Sequence, residues 1–348
     1  MDNNKTSIIF FGSGDFPYPT FKTIVENEVY DVKGLVTSPY KPYFYSETLK
    51  DVAERNNIPV FSTHKPNCAE LVEWLKEKET DIFCVISYKF LSNDILRIPK
   101  ITAFNVHASL LPLLRGAAPI NWAIRYGFKN TGLTSFVLNE HIDCGEIINN
   151  ISIPIESNDD YGVVFNRLSV LNVGFTIETI SRLRKSDWRR YLILQPDHIE
   201  DDMFMNAPRL NNDNCTLNTH IFSAFNYAIP QLYDVIRSLS PNIGLNITLR
   251  AMNEERNGFC CLKKYDAKIY KAKLFPEIPE EHKSYCKSYS NVVTDGKSFM
   301  YLVNNLNTQI ISIEEIQLAG KKKLNIKDFV AGFQWARDKN VYLLITGR

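Results

Sequence analysis

Apolar residues in the first half of the chain come in short unbroken runs, and the stretches between them place apolar positions three and four apart. Residues 7–11, 30–37 and 81–87 contain such runs, bounded by turn residues, and predict strands buried on both faces. Shorter runs at 60–61, 104–106 and 134–138 predict three more strands. Residues 16–27, 47–56 and 68–78 carry helical spacing, with Pro17 and Pro19 placed where the first turn of a helix tolerates them. Strand and helix alternating in this way predict an α/β fold, a mostly parallel Rossmann-like sheet with its ligand crevice at the carboxyl ends of the strands. A long amphipathic stretch over 162–185 predicts a helix covering that sheet.

The pattern changes after residue 187. Residues 188–206 mix polarities around Pro196 and the acidic cluster Glu200-Asp201-Asp202, and read as a linker. A helical pattern over 216–238 then precedes strand-like runs at 247–251, 267–274, 299–303 and 309–313. Short strands with turns between them predict a small C-terminal β-barrel, OB-like in size. The expected division is therefore 1–187 for the α/β domain, 188–206 for the linker and 207–348 for the barrel.

With 348 residues, 45% of them apolar, the chain is long enough for two cores. Forty basic residues against thirty-nine acidic ones leave a net charge of +1, so no global field calls for DNA, RNA or a membrane, although a local basic patch is compatible with that balance. The seven cysteines show no CxxC and no zinc-like spacing, and read as reduced thiols of an intracellular protein without a metal. No apolar run approaches the roughly 18 residues of a membrane span, which predicts a soluble protein. The amino terminus enters its first strand almost at once and lacks the pattern of a transit peptide.

The chemistry concentrates where Asn105, His107 and Ser109 follow an apolar run that turns at Pro112. Asp143-Cys144-Gly145 lies downstream by about one crossover helix and one strand, so Asn105, His107 and Asp143 are expected to meet. Together they suit acyl transfer to an amine. An amide and a protonated imidazole donate to the oxygen on which charge develops, and a carboxylate favours the protonated ring. Ser109 has no GxSxG context, so direct transfer fits better than a covalent route. Each residue also has a plainer reading: a hydrogen-bonded histidine at a strand end, a tight Asp-Cys-Gly turn, an Arg115-Gly116 helix start. His64, His141, His198, His220 and His282 belong to no constellation. Gly12-Ser13-Gly14 opens like a dinucleotide turn, yet Pro17 stands where the third glycine belongs. Gly320-Lys321-Lys322-Lys323 reads as a solvated turn or a nucleic-acid surface.

These motifs carry a resemblance. Ile9-Phe10-Phe11-Gly12 with Asp15-Phe16, Asn105 through Pro112, Arg115-Gly116-Ala117-Ala118-Pro119-Ile120 and Asp143-Cys144-Gly145 resemble the folate-dependent formyltransferases. The Arg-Gly-Ala-Ala-Pro-Ile run resembles the branch acting on initiator tRNA. Ala207-Pro208-Arg209-Leu210, Ala267-Lys268-Ile269-Tyr270-Lys271-Ala272 and Gln317-Leu318-Ala319-Gly320-Lys321-Lys322 are similar, in order, to landmarks of that branch's tRNA-contacting barrel. The resemblance implies a formyltransferase fold, 10-formyltetrahydrofolate as formyl donor, and the amino group of methionyl initiator tRNA as acceptor, in support of translation initiation. It implies that Asn105 and His107 stabilise the oxyanion while Asp143 orients and charges His107. It further implies folate contacts at Tyr88, Phe90, Leu91, Ser109, Leu110, Leu111 and Pro112, and tRNA contacts at Lys41, Arg115, Lys321, Lys322 and Lys323. A monomer is expected, with no metal, DNA or membrane partner.

The loop over 37–47 departs from the family, whose members carry a longer basic loop there; Lys41 is its one basic residue. Its aromatics Tyr40, Tyr43, Phe44 and Tyr45 suit either stacking on splayed bases or packing on one another. Ser87-Tyr88-Lys89 also replaces the expected Tyr-Gly. The alternatives in view are an amino-sugar-nucleotide acceptor, a folate hydrolase, and a non-enzymatic RNA-binding scaffold, the last disfavoured by the intact Asn105, His107 and Asp143. Lysine- and asparagine-rich composition points to the mitochondrial matrix, with a bacterial cytoplasm as the alternative.

Overall fold

The computed structural model describes residues 5–196, 206–217, 229–239, 243–255, 258–286, 291–304, 309–332 and 341–346. They form two units: Met1–Ile120 with Lys129–Ile155 and Val163–Pro208, and Asn121–Phe128 with Glu156–Gly162 and Arg209–Arg348. The cluster Glu200-Asp201-Asp202, His198, His220 and the 218–228 part of the expected second-domain helix lie outside the described residues.

In the first unit, strands β1 (Thr6–Gly12), β2 (Tyr30–Thr37), β3 (Val60–Ser62), β4 (Ile82–Ile86), β5 (Thr102–His107), β6 (Asn130–Val137) and β7 (Ile147–Pro154) build one sheet. Its order is β3-β2-β1-β4-β5-β6-β7. Helices α1 (Tyr18–Glu26), α2 (Leu49–Arg55), α3 (Ala69–Lys76) and α4 (Asn93–Leu96) connect the strands; α5 (Pro119–Arg125) follows β5 in the chain and belongs from Asn121 on to the second unit, and α6 (Tyr161–Leu183) covers the sheet. Every residue of the central strand β1 is buried. Its alternating side chains reach both faces, with Phe10 against Phe21 at 4.9 Å and Phe11 against Phe83 at 5.2 Å between ring centroids.

The first five strands run parallel, as the α/β pattern predicts. The last two correct it: β6 pairs antiparallel with β5, and β7 antiparallel with β6. His107 therefore ends a parallel strand, whereas Asp143 lies in the β6–β7 hairpin connection and not at a parallel strand's carboxyl end. The misreading has a physical cause. From Thr131 to Phe136 every residue of β6 is buried, the pattern expected of a parallel strand covered on both faces. Helix α6 does the covering with an unusually polar side: the Thr179 hydroxyl donates to Ser135 Oγ at 3.0 Å, and Ser169 Oγ donates to the Phe16 carbonyl at 2.9 Å.

Residues 188–196 run along this unit. Trp188–Tyr191 makes a 3-10 turn, and Ile193 exchanges backbone hydrogen bonds with Ile147.

The second unit holds helix α7 (Ile229–Ser238), strands β8 (Leu245–Glu255), β9 (Gly258–Phe275), β10 (Val292–Thr294), β11 (Met300–Leu302), β12 (Ile310–Leu318) and β13 (Leu324–Asn325), helix α8 (Ile326–Gly332), and strand β14 (Val341–Thr346). The sheet is antiparallel in the order β10-β11-β12-β9-β8-β14, with β13 on β12. Residues 216–217, expected as the start of a helix, are extended instead: Leu217 donates its N–H to the Asn246 carbonyl. Leu232 and Ile236 of α7 share one apolar core with Ile247, Leu249, Ile269, Ile311 and Ile313. Register shifts in β9 against both neighbours bend the sheet. Next to edge strand β10, buried Asn291 donates to the Ile345 carbonyl of the other edge strand, β14, at 2.9 Å and accepts from its N–H at 2.8 Å. The amide stands in for a strand-to-strand pair. Asn291→Ala should leave both Ile345 groups unpaired and cost about 2–4 kcal/mol of unfolding free energy in urea titrations; a loss below about 0.5 kcal/mol would show that the edges do not depend on it.

Candidate active site

Successive side chains of a strand point to opposite faces, so Asn105 and His107 of β5 share one face while Phe104 and Val106 are buried on the other. His107 is 6% exposed and its Nε2 lies 2.8 Å from the Leu114 carbonyl oxygen. A carbonyl only accepts, so Nε2 carries the proton and Nδ1 is the nitrogen left for chemistry. Nδ1 faces Asp143 Oδ2 at 3.6 Å, beyond hydrogen-bond length. Among the described residues none hydrogen-bonds the Asn105 side-chain amide.

The turn after β5 presents Leu114 to the imidazole. Ser109 is fully buried and its hydroxyl donates to the Leu113 carbonyl at 2.6 Å, while the Thr134 hydroxyl donates to the Ser109 carbonyl at 2.7 Å and accepts from Leu111 N–H at 3.1 Å. Ser109 is thus a clip within the turn, an arrangement unsuited to a nucleophile. Leu111 packs with Phe136 and Ile147 in a small core. Leu110 lies beside Gly132, and Pro112 is half-buried.

Two residues fix Asp143 and its turn. Its Oδ2 accepts from the Gly116 N–H at 2.8 Å, and its carbonyl and that of Gly145 accept from Gln195 Nε2 at 3.0 and 2.7 Å. Gln195 Oε1 in turn accepts from Arg115 Nε at 3.3 Å and Nη2 at 2.8 Å. Gln195 fell in the stretch read as linker, and a side chain bonding two carbonyls leaves no periodic signal. Gly145 is required by space: a Cβ there would sit 1.6 Å from the Val137 carbonyl oxygen. Gly116 adopts φ 120°, and its Cβ would meet the Ala207 carbonyl oxygen at 2.8 Å.

Of the expected folate contacts after β4, Leu91 is buried and the half-buried Tyr88 sets its ring edge-on to Phe11 at 5.7 Å, whereas Phe90 is 50% exposed. Asn93 Nδ2 donates to Glu140 Oε2 at 3.0 Å, joining this segment to the loop of Asp143, which shows the exposed Ile142. Two apolar side chains and a nearby amide, imidazole and carboxylate fit a flat heteroaromatic cosubstrate with a polar reacting end.

Lys41, Lys321 and Lys322 are exposed. Lys323 pairs with Glu315 at 3.0 Å and lies 4.9 Å from the Tyr270 ring centroid, and the Arg115 guanidinium is engaged by Gln195 and the Pro196 carbonyl. The aromatic loop packs on the unit that carries it. Asp15 Oδ2 accepts from Tyr43 and Phe44 N–H at 2.8 and 2.9 Å, Phe44 stacks on Phe165, and Tyr45 stacks on Tyr18. The turn from Gly12 to Asp15 therefore anchors a loop. Burial, and then the bond donated to Glu47, pushes the Tyr18 hydroxyl up to about 12. That same bond, followed by Arg55, holds the Glu47 carboxyl below its ordinary range. No group of three or more His, Cys, Asp or Glu side chains among the described residues is placed to hold a metal ion.

An amide, an imidazole and a carboxylate brought together on a mostly parallel α/β sheet are suited to direct acyl-group transfer. Residues 6–180 match the formyl transferase family and residues 231–334 match the formyl transferase C-terminal domain. The chain belongs to the formyl transferase family. The methionyl-tRNA formyltransferase of Parabacteroides distasonis is 30% identical over 96% of this chain and 98% of its own length. Those of Azobacteroides pseudotrichonymphae, at 30% over 99% of both chains, and Clostridium acetobutylicum, at 30% over 93% and 96%, are similar throughout. Two solved structures share the fold. WlaRD, a sugar 3N-formyl transferase crystallised with dTDP and 5-N-formyl-THF, has a TM-score of 0.58 at 16% identity, covering 92% of this chain and all of its own. HypX from Aquifex aeolicus in complex with tetrahydrofolic acid has a TM-score of 0.58 at 12% identity, covering 94% of this chain and 47% of its own.

Gly145→Ala should displace the Asp143 loop and lower kcat for formyl transfer by about 100-fold; wild-type kcat would show that the hairpin yields elsewhere. Because Glu47 is lowered in the fold, its stabilisation is present above its unfolded value of about 4.3 and is lost as the pH falls through the lowered folded value. Tyr18→Phe should move the Glu47 titration up toward about 4.3 in carboxyl 13C NMR, and an unmoved titration would remove Tyr18 as the cause.

Proposed function

We propose that this protein transfers the formyl group of 10-formyltetrahydrofolate to the amino group of methionyl initiator tRNA, supporting translation initiation. The observation that carries the reading is the placement of His107, with Nε2 bound to the Leu114 carbonyl and Nδ1 turned toward Asp143 on the strand face that also bears Asn105. Attack of the amine on the formyl carbon puts negative charge on the formyl oxygen. The Asn105 amide and the Nδ1 proton of His107 donate to that oxygen, and Asp143 favours the charged ring and helps carry the amine's proton away; collapse of the adduct then breaks the bond from the formyl carbon to the folate N10, which takes up a proton as tetrahydrofolate leaves. Losing one such donor costs on the order of 3 kcal/mol in the transition state. The folate donor lies along Tyr88, Phe90 and Leu91 and the turn from Ser109 to Pro112, with Phe90 as the exposed contact.

The C-terminal residues from Arg209 on act as the tRNA-contacting domain; residues 188–196, expected as a linker, run along the catalytic unit and supply Gln195 to it. The proposed phosphate contacts rest chiefly on Lys41, Lys321 and Lys322, because Arg115 and Lys323 already have internal partners. The protein works as a monomer without DNA or a membrane. The relatives named above are bacterial, and this favours the bacterial cytoplasm over the mitochondrial matrix.

The test offers labelled 10-formyltetrahydrofolate together with methionyl initiator tRNA, an amino sugar nucleotide, or no acceptor. Label should appear on the tRNA alone. Transfer only to the sugar, formate release without an acceptor, or no turnover would each overturn the assignment.

A further inference from the structure

We infer that Gln195 and Arg115 are positioning residues for formyl transfer, acting through Asp143. The inference rests on the function proposed above. Asp143 has φ 54°, in the left-handed region that a non-glycine residue adopts only when its surroundings hold it there. What holds it is a closed ring of bonds. Gln195 gives its two amide hydrogens to the carbonyls of Asp143 and Gly145, which straddle the turn, while its Oε1 receives two N–H groups of Arg115. Arg115 leads directly into Gly116, whose N–H binds the Asp143 carboxylate.

The ring fixes both ends of the aspartate, the backbone through Gln195 and the carboxylate through Gly116. Arg115 contributes twice. Its charge polarises the Gln195 carbonyl and so strengthens the donors on the other side of that amide, and its backbone sets where the Gly116 N–H points. Nothing else among the described residues bonds the Asp143 or Gly145 carbonyl through a side chain. The 3.6 Å gap between Asp143 and His107 Nδ1 leaves the carboxylate no hydrogen bond to the ring that could keep it in place. Its position is therefore set from behind, by Gly116 at the carboxylate and by Gln195 at the backbone.

A residue that only packs would lower stability and leave catalysis independent of Asp143. A positioning residue loses its effect once Asp143 is gone. The experiment measures kcat for Gln195→Ala, Gln195→Glu, Asp143→Ala and the Gln195→Ala, Asp143→Ala double variant, with melting temperatures, and amide hydrogen exchange at Gly116 in wild type, Gln195→Ala and Gln195→Glu. Gln195→Ala should lower kcat by about 10- to 100-fold. The double variant should fall within about twofold of Asp143→Ala alone. Gln195→Glu keeps the side chain's length and its Arg115 partner but has no hydrogen to give the two carbonyls, so it should lose as much as Gln195→Ala. Gly116 N–H should lose exchange protection in both variants. Multiplying losses in the double variant, full activity in Gln195→Glu, or unchanged protection at Gly116 would each overturn the inference. Absence of formyl transfer by the wild type would instead overturn the proposed function, with the Gly116 exchange still deciding whether Gln195 places Asp143.

Discussion

The hydrogen bond from His107 Nε2 to the Leu114 carbonyl decides which nitrogen of the imidazole can work. Without it the ring could turn over, and Nδ1 would lose its view of Asp143. The bond exists because the turn after β5 doubles back on the strand end. Leu114 takes φ 61° to aim its carbonyl inward, Ser109 clips the turn to the Leu113 carbonyl, and Thr134 of the neighbouring strand ties it at two points. Each of these polar side chains is buried, and each is matched to a backbone group, as burial requires.

The second constraint is the reversal of direction in the sheet. An antiparallel β6 and β7 make a hairpin whose connection, and not a crossover helix, delivers Asp143. A hairpin connection is a loop, and loops hold a charged side chain to catalytic tolerance only when other groups fix them. Gly145 lets the loop close against Val137, and Gln195 and Gly116 hold the aspartate within it. The rigid strand supplies Asn105 and His107, while the braced loop supplies the carboxylate.

Much of this was legible in the sequence. Apolar runs marked β1, β2, β4 and β5 to within a residue or two, because buried parallel strands tolerate little polarity. Asn105 and His107, two apart in such a run, had to share a face. Strand direction was not legible, since burial on both faces reads the same whichever way β6 runs. Nor was the role of the aromatic loop. That Phe44 and Tyr45 pack inward depends on Asp15, far back in the chain, receiving two backbone N–H groups whose donors carry no side-chain signature. Gln195 was hidden for the same reason: it bonds to carbonyls, which every residue has.

The most direct test of this account is the tautomer of His107, read from long-range 1H–15N correlations in protein labelled with 15N histidine. In the neutral ring the proton should reside on Nε2, with Nδ1 showing the shift of an unprotonated nitrogen. A neutral ring protonated on Nδ1 would contradict the account, because Nε2 could not then donate to Leu114 and the ring would not offer Asp143 the nitrogen on which the proposed chemistry depends.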